Sequence, residues 1–217
     1  MRFDIITIFP NILTSYLKEG ILAQAIKKKI VKVNFVNLRD SANGKHRKTD
    51  DTPFGGGPGM VMMVEPIWKA VKKVKKKKKS KIVLLSPKGK KFDQKMAQDF
   101  SAFDQIIFIC GRYEGVDERV VENIADEIIS IGDYVLAGGE LPAMTIIEAT
   151  ARLVPGVLGN KESLVSETHD SDKKDYPQYT RPTEFKAGFK NRWKVPEVLF
   201  SGNHKKIEEW REENRKQ

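Results

Sequence analysis

Much that would betray a function at once is missing from this chain. A single cysteine, Cys110, excludes an intramolecular disulfide framework. It sits in the apolar run Gln105-Ile106-Ile107-Phe108-Ile109-Cys110, where it reads as a small buried hydrophobe rather than a nucleophile. The three histidines, His46, His169 and His204, are too scattered for a metal cluster. No apolar run approaches a membrane-crossing length. Near the N-terminus, Arg2 and Asp4 flank short apolar runs and Pro10 interrupts them, so no secretion signal is read and a cytoplasmic chain is expected. The first strand-like run leads into Phe9-Pro10-Asn11 instead of a dinucleotide-binding glycine fingerprint. Gly55-Gly56-Gly57 is not followed by the Gly-Lys-Ser/Thr of a phosphate loop.

What is present begins with charge. The 217 residues carry a net charge of +10, and residues 72–81 alone hold eight lysines. That balance favours a polyanionic partner; a lysine-rich solvated linker explains it equally well. The length allows one sizeable core, or one with a small appendage.

Periodicity predicts alternating strands and helices. Strands are expected at 2–9, 31–38, 81–85, 105–110 and 128–131, and helices at 12–25, 67–78, 94–100, 117–124 and 141–154. Apolar strands alternating with helices imply an α/β fold with a parallel sheet covered on both faces. Residues 41–59 are long for a plain connection and read as a functional loop. Residues 160–192 are polar and read as a linker or partly disordered loop, 195–200 as a short strand or turn, and 204–216 as a charged helix.

Three compact segments rich in glycine, acids and aromatics stand out: Asp51 to Gly59, Gly111-Arg112-Tyr113-Glu114-Gly115-Val116-Asp117, and Ile131-Gly132-Asp133-Tyr134 to Glu140. The last two follow strands directly. The strand ends at Leu85-Ser86-Pro87, Cys110-Gly111 and Ile131-Gly132 are expected along one sheet edge, where parallel sheets bind ligands. Glycine clusters also make plain tight turns. Glu114 and Asp117 either serve a substrate or cap the next helix, with capping the default for Asp117. Arg152, on an apolar helix, either meets an anionic ligand or snorkels from the helix end.

Taken together, these segments resemble the bacterial tRNA (guanine-N1-)-methyltransferase (TrmD) family of the SPOUT class. The match runs from Phe3 to about Trp210, and the Gly-Gly-Gly-Pro-Gly-Met and Gly-Arg-Tyr-Glu-Gly-Val-Asp-Glu-Arg strings carry it. The resemblance implies a parallel-sheet SPOUT fold with a C-terminal trefoil knot and a shortened C-terminal helical extension. It implies a knotted domain at 1–159, a flexible interdomain loop at 160–194 and a truncated helical segment at 195–217. It implies a homodimer with no membrane attachment.

The activity implied is methyl transfer from S-adenosyl-L-methionine to N1 of guanosine 37 in tRNA, with a G36-G37 substrate and a requirement for Mg²⁺ whose ligands are unknown. The donor pocket implied uses Leu85, Ser86, Pro87, Gly111, Tyr113, Glu114, Gly115, Ile131, Gly132, Tyr134, Leu136, Gly138 and Gly139. The catalytic groups implied are Glu167, Arg152 and Glu114. The family's usual loop aspartate falls on Glu167 here, with Asp170 as the alternative proton acceptor. Lys45, Arg47, Lys48, Arg181 and Lys186 are candidates to grip RNA phosphates, and the 72–81 lysine tract to compensate for a shortened C-terminal domain. Two other functions stay open on the residues alone: an RNA methyltransferase of the same class with another target position, and a non-catalytic RNA-binding dimer.

Overall fold

The computed structural model describes residues 1–158, 176–188 and 191–215 and divides into two compact units, 1–159 and 160–217. The first unit is built on a five-stranded, wholly parallel sheet. Its strands are β1 (Arg2–Thr7), β2 (Lys32–Asn37), β5 (Ser80–Lys91), β6 (Gln105–Cys110) and β7 (Glu127–Ser130), in the order β2-β1-β6-β5-β7. The parallel sheet read from the alternation of elements is therefore present.

Strand alternation divides the core between the two faces. Phe3, Ile5, Val83, Leu85, Ile106, Phe108 and Cys110 face one side, packed with residues from α1 (Gly20–Lys27), α3 (Gln94–Ser101) and α5 (Glu140–Arg152). Ile6, Ile82, Leu84, Ile107 and Ile109 face the other, packed with α2 (Val64–Lys73) and α4 (Glu118–Asn123). Phe3 and Phe108 stack across neighbouring strands at 6.3 Å. Fully burying one such side chain contributes about 1.5–3 kcal/mol, which sets the sheet firmly enough to position its end loops.

At the edge where the strands begin, Asp4 is buried and pins three strands together. Its Oδ1 accepts from Arg2 and from Asn34 Nδ2 at 2.9 Å, and its Oδ2 accepts from Gln105 Nε2 at 2.7 Å. A buried carboxylate is tolerated here because cationic and amide donors surround it.

Several element boundaries differ from the sequence reading. The expected helix at 12–25 is broken: a 3-10 turn at Tyr16–Lys18 precedes α1, because Gly20, the first residue of α1, adopts φ +67°. Helix α2 ends at Lys73 rather than 78, before the lysine tract. Strand β5 does not stop at Leu85 but continues to Lys91. Its register against β7 jumps between Leu85 and Lys90, so residues 86–89 bulge out of the ladder. The long loop at 41–59 contains β3 (Asp50–Asp51), which pairs antiparallel with β4 (Val61–Met62).

In the second unit, the stretch read as a linker holds an antiparallel hairpin of β8 (Glu184–Lys186) and β9 (Arg192–Lys194). Phe185 and Trp193 face each other across it at 5.6 Å. Residues Glu197–Phe200 form a 3-10 turn, and α6 (His204–Asn214) follows, capped by Asn203, which accepts from Lys206 N. Tyr176 lies beneath the guanidinium groups of Arg211 and Arg215, and Tyr179 meets Trp210 edge-on.

Candidate active site

The bulge within β5 and the turns that leave the carboxyl ends of β6 and β7 enclose a cavity of about 410 Å³. That is a normal size for a small-molecule site. Every residue assigned above to a donor pocket lines it, from Leu85-Ser86-Pro87 through Gly111 and Tyr113-Glu114-Gly115 to Ile131-Gly132, Tyr134, Leu136 and Gly138-Gly139. The bulge at 86–89 supplies one wall. Leu85, Ile129 and the partly buried Ile131 give it an apolar lining.

Close backbone approach explains the glycines. Gly139 N donates to Gly111 O at 3.0 Å, and Arg112 and Gly138 form an isolated antiparallel bridge. A Cβ on Gly139 would stand 2.8 Å from Cys110 Cα, and one on Gly138 would collide with the Arg112 side chain. Tyr113, at φ +57°, and Gly115, at φ +118°, turn the β6 loop sharply inward.

A buried charge network holds these turns. Glu140, the first residue of α5, accepts from Arg112 Nε at 3.0 Å and from its terminal nitrogen at 2.8 Å through Oε2. Its Oε1 accepts from Thr7 Oγ1 at 2.6 Å, and Thr7 Oγ1 in turn accepts from Phe9 N at 2.9 Å. The Arg112 guanidinium lies 4.7 Å from the centre of the Phe9 ring. Burial pushes the Cys110 thiol well up, with the nearby Glu140 charge adding to it, so Cys110 stays protonated and serves as packing.

The glycine-rich hairpin is sewn onto the same site. Met62 N donates to Gly115 O at 2.9 Å, Glu114 N to Met60 O at 3.1 Å and Asp117 N to Met62 O at 2.9 Å. Glu114 lies on the cavity wall and packs against Gly59, where any Cβ would clash with its side chain. Asp117 caps α4, accepting from Arg119 N at 3.0 Å. The side-chain hydrogen bond from Arg119 holds its carboxyl below the ordinary range.

Arg152 closes α5 at the end opposite Gly139. It lies twelve residues after Glu140, about 18 Å of helix rise, and is not among the residues that line the cavity. Glu167 and Asp170 lie outside the described residues. Arg47 pairs with Asp40 and Lys48 with Asp51, both on the surface. The lysine tract sits at the strand-start edge, where Lys75 O accepts from Arg2 and Lys79 O accepts from Asp104 N. The length of β5 up to Leu85, about 20 Å, separates it from the cavity. Among the described residues, no group of three or more His, Cys, Asp or Glu side chains stands ready to hold a metal ion, and no helix is long and apolar enough to cross a membrane.

Sequence reasoning assigned no role to Glu140, Thr7 or Arg112. The available signal was a carboxylate opening an otherwise apolar helix directly after two glycines.

The chain is similar to known proteins over its whole length. The family model described as tRNA (guanine-1)-methyltransferase TrmD matches residues 1–217. A protein of Carboxydothermus hydrogenoformans named tRNA (guanine-N(1)-)-methyltransferase is 51% identical over 211 residues, covering 97% of this chain and 81% of its own. Proteins of the same name from Clostridioides difficile and Ruminiclostridium cellulolyticum are 49% and 48% identical. They cover 98% and 97% of this chain and 91% and 89% of their own.

Proposed function

The chain belongs to the tRNA (guanine-1)-methyltransferase family, and from that premise we propose that it methylates N1 of guanosine 37 in tRNA, giving 1-methylguanosine. It is a methyltransferase enzyme, and a family of this kind uses S-adenosyl-L-methionine. The target position, the preference for G36-G37 and the roles below are the finer part of the proposal.

The observation that carries the reading is the convergence of the β5 bulge and two strand-end turns on one cavity with an apolar lining and close-set glycine backbone. Such a cradle suits a flat adenine ring with a polar tail. Bound donor supplies an electrophilic methyl group on a sulfonium. The chain's part is to hold the guanine in line and manage one proton. N1 of guanine loses its hydrogen to a carboxylate, assigned to Glu167, as it takes the methyl, and the sulfonium is left as a thioether. Arg152 balances charge developing on O6. Glu114, on the cavity wall beside Gly59, positions the incoming base.

Arg152 is not among the residues lining the cavity of its own subunit, which favours a homodimer whose sites are completed across the interface. The exposed apolar side chains of Phe9, Ile12, Tyr16, Ile21 and Leu141 support such a contact. The close return of the chain after β7 to the turn after β6, at Gly138 and Arg112, is compatible with a trefoil knot of the SPOUT type. The described residues offer no ready ligand set for Mg²⁺, so no step is assigned to it. A cytoplasmic site of action completes the reading.

The test is transfer of labelled methyl from S-adenosyl-L-methionine to tRNA transcripts that differ only at positions 36 and 37. Label recovered as 1-methylguanosine from G36-G37 transcripts, and lost when guanosine 37 is replaced, supports the proposal. Label in another base contradicts it.

A further inference from the structure

Phe54 is fully exposed, an unusual place for an aromatic side chain whose burial would normally stabilise the fold. It sits at the tip of the loop joining β3 and β4, in a turn closed by Gly56 N donating to Pro53 O at 3.3 Å. Gly55, Gly56, Gly57 and Gly59 all have positive φ, so this loop takes a backbone path open to few other residues. Its base is anchored at the cavity wall, where Gly59 packs against Glu114 and Met60 O accepts from Glu114 N. Phe54 is therefore within about 18 Å of chain from the cavity wall, even at full extension. The exposed Lys45, His46, Arg47 and Lys48 precede the same hairpin.

A solvent-facing aromatic ring on a rim segment flanked by basic residues has the composition of a single-strand nucleic-acid platform, in which rings stack on bases and cations meet phosphates. We propose that Phe54 is a positioning residue that stacks on an unpaired nucleobase of the RNA substrate, next to the base held for methylation. This rests on the reading of the cavity as an RNA methyltransferase site. It assigns a substrate contact to a residue that makes no evident contribution to the core.

The test compares the parent enzyme with Phe54→Ala, Phe54→Leu and Phe54→Trp in steady-state methylation of tRNA, with S-adenosyl-L-methionine affinity measured separately by calorimetry. Phe54→Ala and Phe54→Leu are expected to raise KM for tRNA by about five- to a hundredfold, the size of one base–aromatic stack. Phe54→Trp is expected to keep it near the parent value. Donor affinity and thermal midpoint should be unchanged in all three. Equal performance by Phe54→Leu and Phe54→Trp would show that only apolar bulk matters and would overturn the proposal, as would an unaltered KM in Phe54→Ala. Failure of the parent itself to methylate tRNA would instead remove the functional reading beneath it.

Discussion

Arg112 and the buried Glu140 form an ion pair at 2.8 Å that ties the turn after β6 to the start of α5. Thr7 occupies the second carboxylate oxygen, so the pair also reaches the end of β1. Burial of the Glu140 carboxylate makes such a pair costly to break from one side, because the guanidinium left behind is only partly reached by water. Glu140→Ala is accordingly expected to lower stability by about 3–5 kcal/mol in denaturant unfolding. Glu140→Gln, which keeps an oxygen for Thr7 or Arg112, should lose less, and both variants should weaken donor binding measured by calorimetry.

Gly139 offers a purely steric test. A methyl group there meets the backbone of Cys110 rather than a movable side chain, so the two turns must separate. Gly139→Ala should reduce donor affinity at least tenfold, whereas Gly115→Ala, facing open space, should act only through its positive φ. Isothermal titration of the two variants separates these effects.

Asp117 and Arg119 give a pH signature. The hydrogen bond from Arg119 depresses the Asp117 carboxyl, so its contribution to stability is complete above the ordinary carboxylate pKa of about 3.9. That contribution fades as pH falls through the depressed value. Arg119→Ala should therefore unfold more easily than the parent at neutral pH, with the difference closing in acid. Thermal melts between neutral and strongly acidic pH measure it.

The proposed proton acceptor and the proposed O6 partner should separate from donor binding. Glu167→Gln is expected to lower kcat by about 10²–10⁴ and Arg152→Ala by about 10²–10³, each with donor affinity intact. Single-turnover methylation under saturating donor and tRNA reads this directly.

Neutralising Lys75, Lys76 and Lys78 tests the basic pole. If tRNA phosphates reach it, full-length tRNA binding should weaken and the slope of log affinity against log salt should shrink by about two to three. Turnover at saturating tRNA should hold, since the tract and the cavity lie at opposite sheet edges. Filter binding across a salt series reads the slope.

The parallel sheet and the meeting of the three turns were legible because buried parallel strands read as continuous apolar runs, and two of the turns follow such runs directly. Boundaries were harder where local signals conflicted with tertiary structure. Pro87 and Gly89 look like strand breakers, yet β5 resumes at Lys90, which returns to Ile129 of β7, the partner of Leu85, and Lys91 then pairs with Ser130. The apolar spacing at 12–25 fits a helix, but the left-handed backbone of Gly20 splits the segment. Strands of three residues such as β8 and β9 are too short for period-two alternation to register, and their ladder and the Phe185–Trp193 contact are seen only in the structure. Glu140 carried only the signal of a carboxylate opening an apolar helix, because its partners, Thr7 and Arg112, are remote in the chain.

A crystal structure with S-adenosyl-L-methionine bound tests the central claim most directly. The account predicts the donor between Leu85, Gly111 to Gly115 and Ile131 to Gly139, with its methyl group facing the rim where Glu114 meets Gly59. A donor lodged anywhere else on the protein would contradict it.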